Sequence, residues 1–235
     1  MSIAWIFPGQ GSQKVGMSDL VLGLDQALTR FEEASDLLGR DLLSICKGSD
    51  GQANPIQDLN DTRNTQPALF LIESLLVDDM KRQGRQASVV AGHSLGEIVA
   101  LYAAEVFDFQ TAFLLLKHRS ELMAAVGNGA MSAVLGFDRN KLEELIENTS
   151  DVVIANDNSA EQVVLSGKKE AVELVTTQLG CKRVVPLNVS GAFHSPFMHK
   201  PSLAFQDELD RVTFNDAIYP VISNSEPTPT KDAKL

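Results

Sequence analysis

One segment constrains the fold of this chain more than any other. The apolar run Ala87-Ser88-Val89-Val90-Ala91 ends at Gly92-His93-Ser94-Leu95-Gly96, and a helix-like stretch starts at Glu97. A strand that turns directly into a helix through Gly-x-Ser-x-Gly needs glycine on both sides of the serine, because the turn is crowded, and it pushes the hydroxyl into the open. The helix adds its positive end, and the N–H after the serine can face an oxyanion. The chemistry this indicates is acyl transfer or acyl hydrolysis at Ser94. The elbow alone does not choose between them.

The surrounding pattern alternates buried strand and helix, which is α/β architecture. Residues 3–7 are apolar without alternation and end at Pro8-Gly9-Gln10-Gly11, as expected of a central parallel strand buried on both faces. Leu24, Leu28, Phe31, Ala34, Leu37 and Leu38 form a helical stripe closed by Gly39. Residues 47–64 are polar and read as loop. Pro67 is placed to open a second, deeply buried helix that runs through Met80 to Gly84. Strand 87–91, the elbow and a helix to about Ala104 follow, and Asp108 caps a long helix ending at Gly127.

After Gly129 the rhythm changes. Residues 130–135 read as strand, Asp138 caps a helix through Leu142 and Leu145, and 152–155 read as strand again. Asn156-Asp157-Asn158-Ser159 is turn chemistry, 162–165 a return strand, 169–179 a helix closed by Gly180, and 183–187 a last strand. The order β-α-β-β-α-β is the ferredoxin-like unit. Residues 1–128 and 189–235 are thus expected to form the catalytic core, with 129–188 an inserted subdomain. A helix near 201–211 and a strand at 218–223 return the chain to the first sheet.

With 235 residues, 44% of them hydrophobic, the chain can bury a substantial core. A net charge of −11 argues against extended contact with nucleic acid or anionic lipid. Cys46 and Cys181 follow no metal or redox spacing and read as reduced thiols. The start lacks a signal-peptide pattern, and no apolar run approaches membrane-spanning length, so a cytoplasmic protein is expected.

Four histidines compete to be the base for Ser94. His93 should point away from the hydroxyl, and His118 lies on a long helix. His194 and His199 follow a glycine-containing loop at a strand end, where α/β folds place catalytic groups, and His194 is favoured. No Asp or Glu stands out as a third member. Gly9-Gln10-Gly11 fails as a dinucleotide loop because position 14 is lysine, and a loop whose N–H groups face the site is the better reading. Arg119 is an arginine on an otherwise apolar helix, either snorkelling or waiting for a carboxylate.

Phe7-Pro8-Gly9-Gln10-Gly11-Ser12-Gln13, Thr65-Gln66-Pro67-Ala68-Leu69, the elbow with Glu97, the Arg119 helix and Ala192-Phe193-His194-Ser195 occur in an order that resembles the malonyl-CoA:acyl carrier protein transacylases. The resemblance runs over essentially the whole chain. It implies an α/β-hydrolase-like core with an inserted ferredoxin-like subdomain. By the same resemblance Ser94 is the acyl-carrying nucleophile, His194 its base, and the backbone amides of Gln10 and Leu95 the oxyanion hole. Arg119 would hold the free malonyl carboxylate, and Leu95 and Phe193 look like malonyl-selecting variants. Malonyl-CoA is then substrate, acyl carrier protein the partner, fatty-acid synthesis the setting and a monomer the expected state; no cofactor is implied. Carrier proteins are usually acidic, so docking needs local basic residues, and Lys182, Arg183 and Lys117 are the candidates. A thioesterase or esterase, or a fragment that only binds a carrier protein, are the alternatives. Family members continue past position 235 through a Gly-Pro-Gly segment that helps orient the histidine; this sequence shows none.

Overall fold

The computed structural model describes residues 2–48, 58–127, 129–189 and 191–234. The chain divides into two units, Met1–Ser120 with Glu208–Leu235, and Glu121–Asp207. In the first, β1 (Ala4–Phe7) and β2 (Val89–Gly92) run parallel, with Ala4 opposite Val89 and Phe7 opposite Gly92. The short β7 (Val221–Ile222) pairs parallel with the other side of β2. Among the described residues β1 has no neighbour but β2, so the run at 3–7 stands at the edge of this sheet, where a central strand was expected. Trp5 and Phe7 are buried while Ile6 is 75% exposed. Side chains alternate along a pleat, and an all-apolar run does not reveal which of its two faces is covered.

Helix α1 (Ala27–Leu38) buries Ala27, Phe31, Ala34 and Leu38, a stripe shifted from the one expected, so that Leu28 faces out. Gly39 closes it at φ 75°. After α2 (Leu42–Lys47), residues 49–57 of the expected polar loop lie outside the described residues. Helix α3 (Thr62–Arg82) starts five residues before Pro67, where a start at the proline was expected. Asp61 caps it by accepting from the Arg63 N–H. Proline removes the donor for the Arg63 carbonyl, and Arg40 Nη2 supplies one instead at 2.9 Å. Phe70 of α3 packs on Phe109, with ring centroids 5.4 Å apart, and edge-on against Tyr102. These contacts join α3 to α4 (Gly96–Ala103), whose last turn carries Tyr102, and to the start of α5 (Phe109–Val126). Asp108 accepts from the Thr111 N–H, the cap that the sequence called for.

The second unit holds β3 (Ala130–Leu135), α6 (Arg139–Glu147), β4 (Val152–Ser159), β5 (Gln162–Gly167), α7 (Lys169–Leu179) and β6 (Arg183–Pro186). Its sheet has the order β4-β5-β3-β6 with every pair antiparallel, the ferredoxin-like arrangement. Alternation makes two apolar layers. Val134, Val163 and Leu165 pack with Leu142, Val172, Val175 and Leu179 of the helices, whereas Met131, Ala133 and Val164 pack with Phe193 on the other face. Residues 156–159 are strand and not the expected turn. They stay paired with β5 through two register shifts, and the reversal falls at 160–161. The unit contains all of 129–188 and adds flanks, because Met123, Val189 and Met198 also pack on the second layer. A 3-10 turn (Pro196–Met198) leads into α8 (His199–Leu209). The fold is mixed α/β, with a parallel sheet in one unit and an antiparallel sheet in the other. Among the described residues no helix is long and apolar enough to cross a membrane.

Candidate active site

Ser94 takes φ 55°, the left-handed region that a non-glycine residue enters at a cost of about 1–3 kcal/mol. Both glycines around it are sterically required. A Cβ on Gly92 would lie 1.9 Å from the Gly96 backbone, and one on Gly96 would lie 2.4 Å from the Phe7 carbonyl oxygen. The second contact brings the end of β1, and with it the loop carrying Gln10, onto the elbow. Four hydrogen bonds from the far end of the chain hold the turn. The Ser94 N–H donates to Asn224 Oδ1 at 3.2 Å, and Asn224 Nδ2 donates to the Gly92 carbonyl at 3.0 Å and to Glu97 Oε2 at 2.5 Å. The Asn224 N–H donates to Glu97 Oε1 at 3.1 Å.

Arg119 reaches the nucleophile. Its Nη2 donates to Ser94 Oγ at 2.9 Å and its Nη1 to Gln66 Oε1 at 2.6 Å. Burial lowers the guanidinium to about 10, and the Glu97 charge works against that, so Arg119 remains a cation at neutral pH. From Gln66 the bonds continue inward. Gln66 Nε2 donates to Thr62 Oγ1 at 2.9 Å, and Thr62 Oγ1 donates to Gln10 Oε1 at 2.8 Å. Gln66 and Thr62 are 1% and 2% exposed, so this relay is shielded from water. It ends on Gln10 Nε2, a buried donor with no partner among the described residues. The relay fits because α3 begins at Thr62 under the Asp61 cap, which places Thr62 and Gln66 one turn apart on the same face.

Leu95 stands at the start of α4, 1% exposed. Among the described residues, neither its N–H nor that of Gln10 is given an acceptor. The Leu95 N–H follows Ser94 directly and stands at the positive end of α4, where an anion is favoured. Ser94, Arg119, Gln10 and Leu95 thus share the first unit.

His194 and Phe193 belong to the second. His194 also takes a left-handed backbone, φ 56°, and is exposed. Phe193 is 4% exposed and packs in the second apolar layer, anchoring the loop. Ser195 Oγ donates to the Ala192 carbonyl at 2.6 Å and closes the turn around the histidine. Of the other histidines, His118 Nδ1 lies 3.4 Å from Glu208 Oε2, His93 is exposed on the elbow, and His199 opens α8. Lys182 and Arg183 are exposed where β6 begins. Lys117 is in the first unit, with Nζ donating to the Leu37 carbonyl at 3.0 Å. Among the described residues no three His, Cys, Asp or Glu side chains gather as a metal site.

Gln66, Thr62, Glu97 and Asn224 are site residues that the sequence reading assigned no role. Gln66 and Glu97 sit inside quoted motifs, but spacing says nothing about what they touch. Asn224 is 130 positions from Ser94 and carries no local signal.

Residues 4–230 match the family described as acyl transferase domain. The chain is 46% identical over 232 residues to the malonyl CoA-acyl carrier protein transacylase of Synechocystis sp., covering 99% of this chain and 77% of that protein. It is 40% identical to the polyketide biosynthesis malonyl CoA-acyl carrier protein transacylase PksC of Bacillus subtilis, covering 94% and 77%. The crystal structure of the Synechocystis enzyme superposes with a TM-score of 0.93, covering 100% of this chain and 78% of that one. A malonyl-transacylase solved in complex with a type II polyketide acyl-carrier protein gives 0.89 at 34% identity, with coverage of 100% and 78%.

Proposed function

The chain belongs to the acyl transferase domain family, and on that premise we infer that it moves a malonyl group from malonyl-CoA to the thiol of an acyl carrier protein, with Ser94 carrying the group between them. The observation that carries this reading is the Arg119 guanidinium, a cation 2.9 Å from Ser94 Oγ. A planar guanidinium grips a carboxylate through parallel hydrogen bonds, and a malonyl group on Ser94 presents a carboxylate within that reach.

His194 takes the Ser94 proton as Oγ attacks the thioester carbonyl, and the Leu95 and Gln10 N–H groups hold the oxyanion. The carbon–sulfur bond breaks and coenzyme A leaves with the proton. The carrier thiol then attacks the Ser94 ester, His194 accepting its proton and returning it to Ser94. No step calls for a cofactor. Phe193 fixes the loop that presents His194. Lys182 and Arg183 are the basic residues to which an acidic carrier protein docks, with Lys117 as a further candidate.

Intact-mass measurement after mixing with malonyl-CoA tests the reading. The expected result is a malonyl adduct that is absent from Ser94→Ala and that carrier thiol removes faster than water does. Arg119→Ala should lose about tenfold or more in malonyl loading, since each charge-assisted bond contributes roughly 1.5–3 kcal/mol, while acetyl loading persists. Release of the acyl group to water at the same rate with or without carrier would make the chain a thioesterase instead, and equal loss on both acyl groups would remove Arg119 from its role.

A further inference from the structure

The proposed function uses Ser94 and Arg119 but does not say what keeps Ser94 in a strained conformation. A left-handed serine persists only where its surroundings over-determine it. The helix side supplies two bonds, Gly96 N–H to the His93 carbonyl at 3.0 Å and Glu97 N–H to the Ser94 carbonyl at 3.1 Å. Neither holds the Ser94 N–H. That group is held from the loop after β7 by Asn224 Oδ1, and the same side chain donates to the Gly92 carbonyl on the strand side of the turn and to Glu97 on the helix side. Every polar atom of the Asn224 side chain therefore lands on the elbow, and its N–H doubles the link to Glu97. Ser223 Oγ, which accepts from the Glu226 N–H at 2.9 Å, closes the loop that presents it.

We propose that Asn224 is a positioning residue for the nucleophile: with Glu97 it braces the elbow across strand, serine and helix, and so sets the direction of Ser94 Oγ. The pairing needs an amide at 224, since one end accepts and the other donates. It also needs a carboxylate at 97, whose two oxygens receive both Asn224 donors. The role rests on Ser94 being the reacting group, and the experiment separates the two ideas by reading Ser94 with two reagents.

A fluorophosphonate probe reports the reactivity of Ser94 whatever its natural acyl group, and malonyl-CoA reports acyl-enzyme formation. Asn224→Ala and Asn224→Asp in the full chain should slow labelling by both reagents roughly ten- to a hundredfold, the scale of a misplaced reacting atom, with KM for malonyl-CoA changed less than about twofold. Asn224→Asp puts two carboxylates together. The double variant Asn224→Asp with Glu97→Gln restores an acceptor for Ser94 and a donor opposite it, and should recover part of the rate. Wild-type labelling that resists malonyl-CoA would reject the acyl-group reading and leave the brace to be judged on the probe. Probe labelling of Asn224→Ala at the wild-type rate overturns the brace. So does a loss that merely follows the fall in melting temperature, or a double variant no faster than Asn224→Asp. No probe labelling of wild-type Ser94 overturns both.

Discussion

The two units of this molecule solve different problems. The first gathers its chemistry from far-separated positions: Gln10, Thr62, Gln66, Ser94, Arg119 and Asn224 meet through hydrogen bonds spanning up to 130 residues. The second is built from neighbours. Its hairpin β4–β5 and its two helix crossovers close locally, and its two layers are apolar. The lesson is that polar precision and apolar packing fail differently. Losing one atom of clearance in the first should cost reaction rate, whereas losing methylenes in the second should cost stability.

The comparison breaks most visibly at glycine. Gly92→Ala drives a Cβ to 1.9 Å from the Gly96 backbone, and acyl transfer should fall by more than about a hundredfold; a steady-state rate near wild type would show that the elbow yields freely. In the second unit, Leu165→Ala empties a fully buried site between the sheet and its helices. Denaturant unfolding should show a loss of about 2–5 kcal/mol, with the reactivity of Ser94 unchanged under folding conditions. A comparable loss of Ser94 reactivity would mean that the packing of this core also governs the nucleophile.

Glu73 sharpens the contrast from the first unit's side. Neither carboxylate oxygen finds a partner among the described residues, and burial pushes the carboxyl up to about 8 from 4.5. The folded state then holds a proton that the unfolded chain releases, so this group's contribution to stability is full below about pH 4.5 and fades as pH rises towards 8. Glu73→Gln should gain on wild type by on the order of 3 kcal/mol between pH 5 and pH 8, read from unfolding free energies at the two pH values; parallel profiles would show that Glu73 is already ionised in the fold. The smallest effect belongs to Lys182 and Arg183. Replacing both with neutral residues should raise the carrier concentration needed for half-maximal transfer a fewfold, as expected for exposed charges, and leave malonyl loading from coenzyme A unaltered. An unchanged dependence on carrier would place docking elsewhere.

Legibility followed the same division. Strand 130–135, helix 169–179 and the caps Asp108 and Asp138 stand where the pattern put them, because each is written in a few adjacent residues. Asn156-Asp157-Asn158-Ser159 misled because turn-forming residues are tolerated in a strand whose partner allows register shifts. Pro67 misled because its cost is met by Arg40, a residue from another helix end.

By itself the sequence determined the elbow with Ser94 at its centre, the alternation of strand and helix and the antiparallel unit, since glycine spacing and hydrophobic period are local properties, whereas it left Arg119 open between a snorkelling and a buried cation. Only the tertiary structure decided that β1 is an edge, that Arg119 lies on Ser94 and connects through Gln66 and Thr62 to Gln10, and that Asn224 and Glu97 hold the nucleophile. Those facts depend on hydrogen bonds between atoms that chain order does not bring together, and a hydrogen bond has a direction and a length that no spacing of letters encodes.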